Sequence, residues 1–179
     1  MKVDKNIVLL IGGPGSGKTS IIEELAIRGH VCYPEISRQV TLEAQKSGVD
    51  QLFLKEPLLF SELLLKGRIQ QYRDALEEKS ENVFIDRGIP DVLAYMHYIG
   101  DAYPQSFDEA CKAFKYSKIF LLPPWEEIYV SDNERYESFE QASLIHKHLI
   151  ETYENYGYQL IEVPKADIDT RIAFILNNL

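Results

Sequence analysis

Eight consecutive residues, Gly12-Gly13-Pro14-Gly15-Ser16-Gly17-Lys18-Thr19, constrain this chain more than any other feature. They satisfy the pattern G-x-x-x-x-G-K-[ST] in full. That pattern acquires chemical meaning only between a buried strand and a helix. Both are legible here. Asn6 to Ile11 is apolar on both faces, rich in β-branched residues and stopped by Gly12, which predicts an interior strand. Thr19 to Arg28 places Ile21, Ile22, Leu25 and Ile27 at helical spacing and ends at Gly29, which predicts a helix. The plainer reading is a glycine-rich turn, but a chance match to the pattern in a chain of this length has odds of about 1%. Glycines let the backbone curl so that successive N–H groups face inward and form an anion nest. The helix N-terminus adds unpaired N–H donors and a positive dipole end. Gly12 through Ser20 is therefore the candidate nucleotide cradle. Lys18 can reach the β and γ phosphates, and Thr19 offers a hydroxyl to Mg²⁺, which prefers hard oxygen ligands.

Composition narrows the partners. Acids outnumber bases 28 to 19 among 179 residues, a formal net charge of -9. Such a chain repels nucleic-acid phosphates, so no nucleic-acid partner is expected. Two cysteines, Cys32 and Cys111, are too few for a disulfide framework or a cysteine-rich zinc site. The early apolar run from Ile7 to Ile11 is far shorter than a membrane span or a signal segment. A cytoplasmic protein with no membrane partner is expected. The sequence leaves monomer and dimer equally open.

Short apolar runs alternate with longer helical stretches along the chain. Strands are predicted at 31–33, 82–86, 118–122 and 159–163, and helices at 37–46, 58–79, 91–99, 142–156 and 168–178. This alternation argues for a parallel sheet covered by helices on both faces, an α/β fold. No linker divides residues 1–179, so a single domain is expected. A polar segment at 125–140 is the candidate lid. The charged end at 74–81 reads as solvent-facing. The histidines show no metal-site spacing, and Cys32 reads as a small core residue.

Asp86 closes the apolar run Val83-Phe84-Ile85. In open α/β sheets the ligand crevice lies at the carboxyl ends of the strands. An acid there can join Thr19 in holding Mg²⁺, and the plainer alternative is a turn or cap residue before Gly88 and Pro90. Asp86-Arg87 after an apolar strand resembles the Asp-Arg signature of P-loop nucleoside and nucleotide kinases. Within that group the chain is most similar to the small AAA-type predicted ATPase/kinase family related to nicotinamide riboside kinase domains. The resemblance spans nearly the whole chain, but only the phosphate loop and Asp86-Arg87 are sharp.

The resemblance implies a P-loop NTPase fold, a three-layer α/β/α sandwich with five parallel strands in the order 2-3-1-4-5. It implies that Arg87 faces the substrate or the migrating phosphoryl group, a surface ion pair being the alternative. Related kinases often carry an acid after strand two, which makes Glu35 the candidate general base or acceptor ligand. Arg38 is a candidate acceptor contact, although a Glu35–Arg38 pair three residues apart is equally readable. Arg68, beside Gly67 in the long helix, either orients the acceptor or lies on a solvated face. The lid candidate holds six acids and one base, Arg135, which would close over the γ-phosphate. Related lids carry more than one arginine. An acidic lid could suit a cationic acceptor such as a nicotinamide nucleoside. Pro164-Lys165-Ala166-Asp167 follows the last strand, where the resemblance places the nucleotide base. It is similar at first sight to a guanine-reading Asn-Lys-x-Asp run, but Pro164 lacks the amide, which favours ATP.

The expected function is transfer of the γ-phosphate of Mg·ATP to a small nucleoside-like or nucleotide-like acceptor. Lys18, Glu35, Asp86, Arg87 and Arg135 are the expected catalytic set. The alternative is a nucleotide-dependent ATPase or GTPase switch or binding module with no small-molecule acceptor.

Overall fold

The computed structural model describes residues 5–129 and 137–179. β1 (Asn6–Ile11), β2 (Val31–Tyr33), β3 (Asn82–Asp86), β4 (Lys118–Leu121) and β5 (Leu160–Glu162) form one parallel sheet in the order β2-β3-β1-β4-β5. Neighbouring parallel strands need crossover connections, and the helices supply them. They are α1 (Lys18–Ile27), α2 (Ser37–Lys46), α3 (Leu52–Lys55), α4 (Pro57–Glu77), α5 (Ile89–Ile99), α6 (Gln105–Ala113), α7 (Phe139–Asn155) and α8 (Ile168–Asn177).

Strand alternation divides the core into two layers. Ile7, Leu9, Ile11, Val83, Ile85, Ile119 and Leu121 face α4 to α7. Val8, Leu10, Phe84 and Phe120 point the other way, onto Ile21, Ile22 and Leu25 of α1 and Ile172 and Ile175 of α8. A strand buried on both faces needs an unbroken apolar run, and β1, β3 and β4 have one. This is the three-layer α/β/α P-loop arrangement implied by the resemblance.

Register then fixes the site. Leu10 pairs with Asp86, Ile11 with Leu121 and Tyr33 with Ile85. The phosphate loop, Asp86 and the Pro34-Glu35 turn therefore leave the sheet at one rim. Gly67 finds its reason in packing: a Cβ there would lie 2.5 Å from Ile36 Cδ1, so glycine lets α2's entry nest against α4.

Two helices escape the sequence reading. α3 is four residues long, and α6 has only Phe107, Ala110 and Cys111 buried at i, i+3 and i+4. Helix starts also shift. α5 begins at Ile89 because Pro90 suits a first turn and the Asp91 carboxylate accepts from the Gly88 N–H at 2.8 Å. α7 begins at Phe139, not near Ala142, because Ser138 and Gln141 form a reciprocal capping box. Among the described residues, no helix is long and apolar enough to cross a membrane.

Candidate active site

The cradle is tightly drawn. Lys18 is only 6% exposed, and its Nζ donates to the carbonyls of Gly12 and Gly13, both at 2.9 Å, and to Ser16 Oγ at 3.2 Å. Ser16 Oγ in turn donates to the Gly13 carbonyl at 2.9 Å. Side chains are excluded where neighbours press. A Cβ on Gly12 would lie 2.5 Å from the Leu122 carbonyl oxygen, and one on Gly13 would lie 2.7 Å from that of Ala142. Gly15 (φ 72°) lies against the Tyr129 ring. Pro14 and Gly15 are half-buried, while Thr19 and Ser20 are exposed at the start of α1. Burial and the nearby Arg87 pull the Lys18 ammonium down to about 8, against Asp86 and Glu35.

Asp86 ends β3 beside this loop and is only 2% exposed. Its Oδ1 is buried without a hydrogen-bond partner. Burial pushes the carboxyl up to about 6, and the Lys18 charge restrains it. Next in the chain, Arg87 takes a left-handed conformation (φ 68°) that a non-glycine residue adopts only under constraint. Its backbone N–H donates to the Leu10 carbonyl at 3.0 Å, continuing the ladder past Asp86. The unusual φ turns the side chain out of the strand line toward β2.

There Glu35 gathers two arginines. Its Oε1 accepts from Arg68 Nη2 at 3.2 Å and from the Ser37 N–H at 3.1 Å. Its Oε2 forms an ion pair with Arg87 Nε. Burial alone would raise the Glu35 carboxyl, but Arg68, Arg87, the Ser37 amide and Lys18 outweigh it and hold it below the usual range. Burial opposes the Arg87 charge, yet Glu35, Asp91 and Asp86 together overcome it. Arg68 is 4% exposed and also donates to the Gly88 carbonyl at 3.0 Å. The solvated-face reading of Arg68 is thus overturned: the α4 face carrying it turns inward, toward Glu35. Gln71, one turn along, donates to the Pro34 carbonyl at 2.8 Å and fixes the Glu35 turn.

The trio walls a cavity of about 420 Å³, which Arg38, Phe53, Phe60 and Tyr95 also line. That is within the usual size of a small-molecule pocket, and the mixture of charge and aromatic faces suits an amphipathic guest. A larger groove of about 1090 Å³ runs between α2 and α4 and shares Glu35 with this cavity, but neither Arg68 nor Arg87 lines it.

Sequence residues scattered over fifty positions, Glu35, Arg68, Asp86 and Arg87, therefore converge at the rim that carries Lys18. Arg38 lines the cavity with them. Arg135 and the middle of the lid candidate lie outside the described residues. Its base is described: Ile128, in the short turn Glu126–Ile128, lies beside Gly17 and Tyr129 beside Gly15, while Trp125 faces Arg171. Asp167 caps α8, accepting from the Thr170 N–H at 2.8 Å. Cys32 is half-buried, and burial raises its thiol to about 11, which suits packing and not a nucleophile. Two residues were missed by sequence. Asp91 sits between Gly88 and Tyr153, behind the Arg87 turn, and Arg171 touches the cradle from α8. Arg171 has no motif around it, and only its place on the inward face of α8, one residue before Ile172, could have hinted at it.

A parallel sheet in this order, with the cradle and an acid on adjoining strands, defines a protein of the P-loop fold. The chain belongs to the family described as an AAA domain, whose model matches residues 7–171. Solved structures share the fold. Deoxyadenosine kinase from M. mycoides, with products dCMP and a flexible dCDP bound, is 17% identical, with a TM-score of 0.70, 96% of this chain and 97% of that one covered. NadR in complex with NR is 15% identical at a TM-score of 0.72, but the 97% of this chain that aligns spans only 49% of NadR. Thymidylate kinase from Candida albicans is 18% identical, with a TM-score of 0.67 and coverage of 98% and 91%. No curated protein matches the chain.

Proposed function

We propose that this chain transfers the γ-phosphate of Mg·ATP to a hydroxyl of a small nucleoside-like or nucleotide-like acceptor. The observation that carries this reading is the placement of the Glu35 carboxylate. It stands between Arg68 and Arg87 on the wall of a cavity of about 420 Å³, at the sheet rim shared with Asp86 and Lys18. A plain hydrolase or switch has no need of such a pocket beside its cradle. Residues 1–179 act as one nucleotide-binding unit, with 125–140 as its lid.

The roles follow from chemistry. Gly12 through Ser20 receive the polyphosphate, and Lys18 exchanges its loop carbonyls for phosphate oxygens, a stronger charge-assisted pairing. The donor set at Thr19 and Asp86 fits Mg²⁺: a hydroxyl and a carboxylate, the latter with a buried oxygen lacking any partner. When bound, Mg²⁺ offsets charge on the β and γ phosphate oxygens. Arg87 can turn from Glu35 toward the migrating group, and Arg135 would complete the clamp from the lid. Glu35 accepts a hydrogen bond from the acceptor hydroxyl and aligns it. Because its carboxyl is held low, it acts as an orienter first and takes the proton late. Arg38 and Arg68 hold the acceptor and Glu35 in place. NadR, a structural neighbour, has been seen with NAD and AMP-PNP, and the deoxyadenosine kinase with dATP, which supports an adenine-nucleotide donor and a nucleoside-like acceptor here.

The test is incubation with Mg·ATP and a panel of nucleosides, nucleoside monophosphates and nicotinamide nucleosides. ADP release that depends on one acceptor, with a product heavier by one phosphoryl group, is the expected result. ADP release independent of every acceptor would instead assign an ATPase or switch.

A further inference from the structure

Arg171 is the buried cation that the proposed reaction leaves unused. It lies in the first turn of α8 and is only 3% exposed. Among the described residues no carboxylate pairs with it. Its Nη2 donates to the Ser16 carbonyl at 2.9 Å, its Nε is buried without a partner, and its guanidinium stands 5.8 Å from the Trp125 ring centroid. A cation buried without a counter-charge is costly, so its contacts need a compensating use.

The contact with Ser16 suggests that use. Ser16 and Gly17 are joined by a planar trans peptide, whose C=O and N–H point in opposite directions. Arg171 draws the carbonyl toward α8. The Gly17 N–H is thereby turned away from α8, toward the hollow side of the loop. Gly17 itself is at φ 88°, and a Cβ there would lie 2.7 Å from Arg171 Nη1. Glycine and arginine thus fix the peptide plane together, one by leaving room and the other by pulling. Resting on the reading of this loop as a triphosphate cradle, we infer that Arg171 is a positioning residue that presets the Gly17 amide for phosphate. The Trp125 ring lies within cation–π reach of the guanidinium and helps to hold it. The guanidinium also leaves a positive charge close behind the cradle, where an arriving polyphosphate supplies the missing counter-charge.

The chain has one tryptophan, so its fluorescence reports Trp125 alone. Calorimetry with Mg·ATP and with tripolyphosphate, which has no base, gives the affinities. For Arg171→Met we expect a loss of about 10-fold or more for both probes alike, the size of one charge-assisted contact. Arg171→Lys keeps a cation that can donate to the Ser16 carbonyl, without the planar fork, and recovers most of that loss. Tripolyphosphate changes the Trp125 emission of the wild-type protein, and the change disappears in Arg171→Met. Affinities unchanged in both variants overturn the inference, as does a loss confined to ATP, which would assign Arg171 to the base. If Arg171→Met does not fold, Arg171→Gln takes its place: a loss of affinity for both probes that Arg171→Lys largely recovers supports the inference, and affinities unchanged in Arg171→Gln and Arg171→Lys alike overturn it. Failure of the wild-type protein to bind either probe overturns the cradle reading itself.

Discussion

The two halves of the candidate site are built in opposite ways. The cradle is one continuous run of backbone, closed on its own lysine, with glycines wherever a neighbour presses. The acceptor half is assembled from side chains on β2, α4 and the end of β3, and its charges are already matched around Glu35. Backbone groups cost little to hold once a strand and a helix fix their ends, so the cradle is rigid by construction. Side-chain clusters depend on distant packing, so the acceptor half can change its chemistry by changing a few residues. A donor site common to many acceptors and an acceptor site tuned to one is what this division would produce.

Breaking the cradle has the largest expected effect. Lys18→Ala removes the cation from the loop, and acceptor-dependent phosphoryl transfer falls by ~1000-fold or more in a coupled ADP assay. Breaking the other half is expected to be milder and separable. Glu35→Gln leaves the cradle intact, so Mg·ATP affinity stays within about 3-fold by calorimetry while kcat drops ~100-fold. Equal losses in both parameters would show that the two halves do not separate.

Two smaller effects sharpen the contrast by probing what supports each half. Tyr153 is fully buried, and its hydroxyl donates to Asp91, which in turn accepts from the Gly88 N–H behind the Arg87 turn. Tyr153→Phe removes one hydrogen bond to a buried carboxylate. We expect about 2 kcal/mol of lost stability by urea unfolding, with acceptor turnover reduced more than ATP affinity. The smallest effect is in pH. Burial lowers His97, which contacts Thr152 Oγ1 at 3.2 Å, and lowers His146 of α7, where the Lys18 and Lys165 charges act in the same direction. A histidine lowered in the folded state binds fewer protons than when unfolded. Their contribution to stability is therefore fully present above pH 6.5 and declines as pH falls below it. The Asp86 carboxyl, raised in the folded state, acts in the opposite sense, so the contrast is read as a difference: in urea unfolding between pH 7.5 and 5.5 the wild-type protein should lose stability relative to His97→Gln as pH falls.

The cradle and its strand–helix frame were legible in the sequence because they are contiguous. Gly12 to Thr19 carries its own explanation, and the doubly apolar run of β1 forces burial on both faces. Asp86-Arg87 was legible as a resemblance, and the register with Leu10 supplies its physical basis. The inward turn of Arg68 was not legible, because helical periodicity places a basic residue on a polar face without saying what that face meets. α3 and α6 were missed because each buries too few apolar residues to print a period. Arg171 was missed for a related reason. Its partner is a backbone carbonyl 155 residues away, and such a contact leaves no trace in side-chain pattern.

The most direct measurement is the fate of a labelled γ-phosphate. With [γ-³²P]ATP, Mg²⁺ and the acceptor selected from the panel, the account predicts that the wild-type protein places the label on the acceptor hydroxyl. Glu35→Gln should release most of its residual label as inorganic phosphate. Label that appears as inorganic phosphate in the wild-type protein, at the same rate with and without every acceptor, would contradict the account.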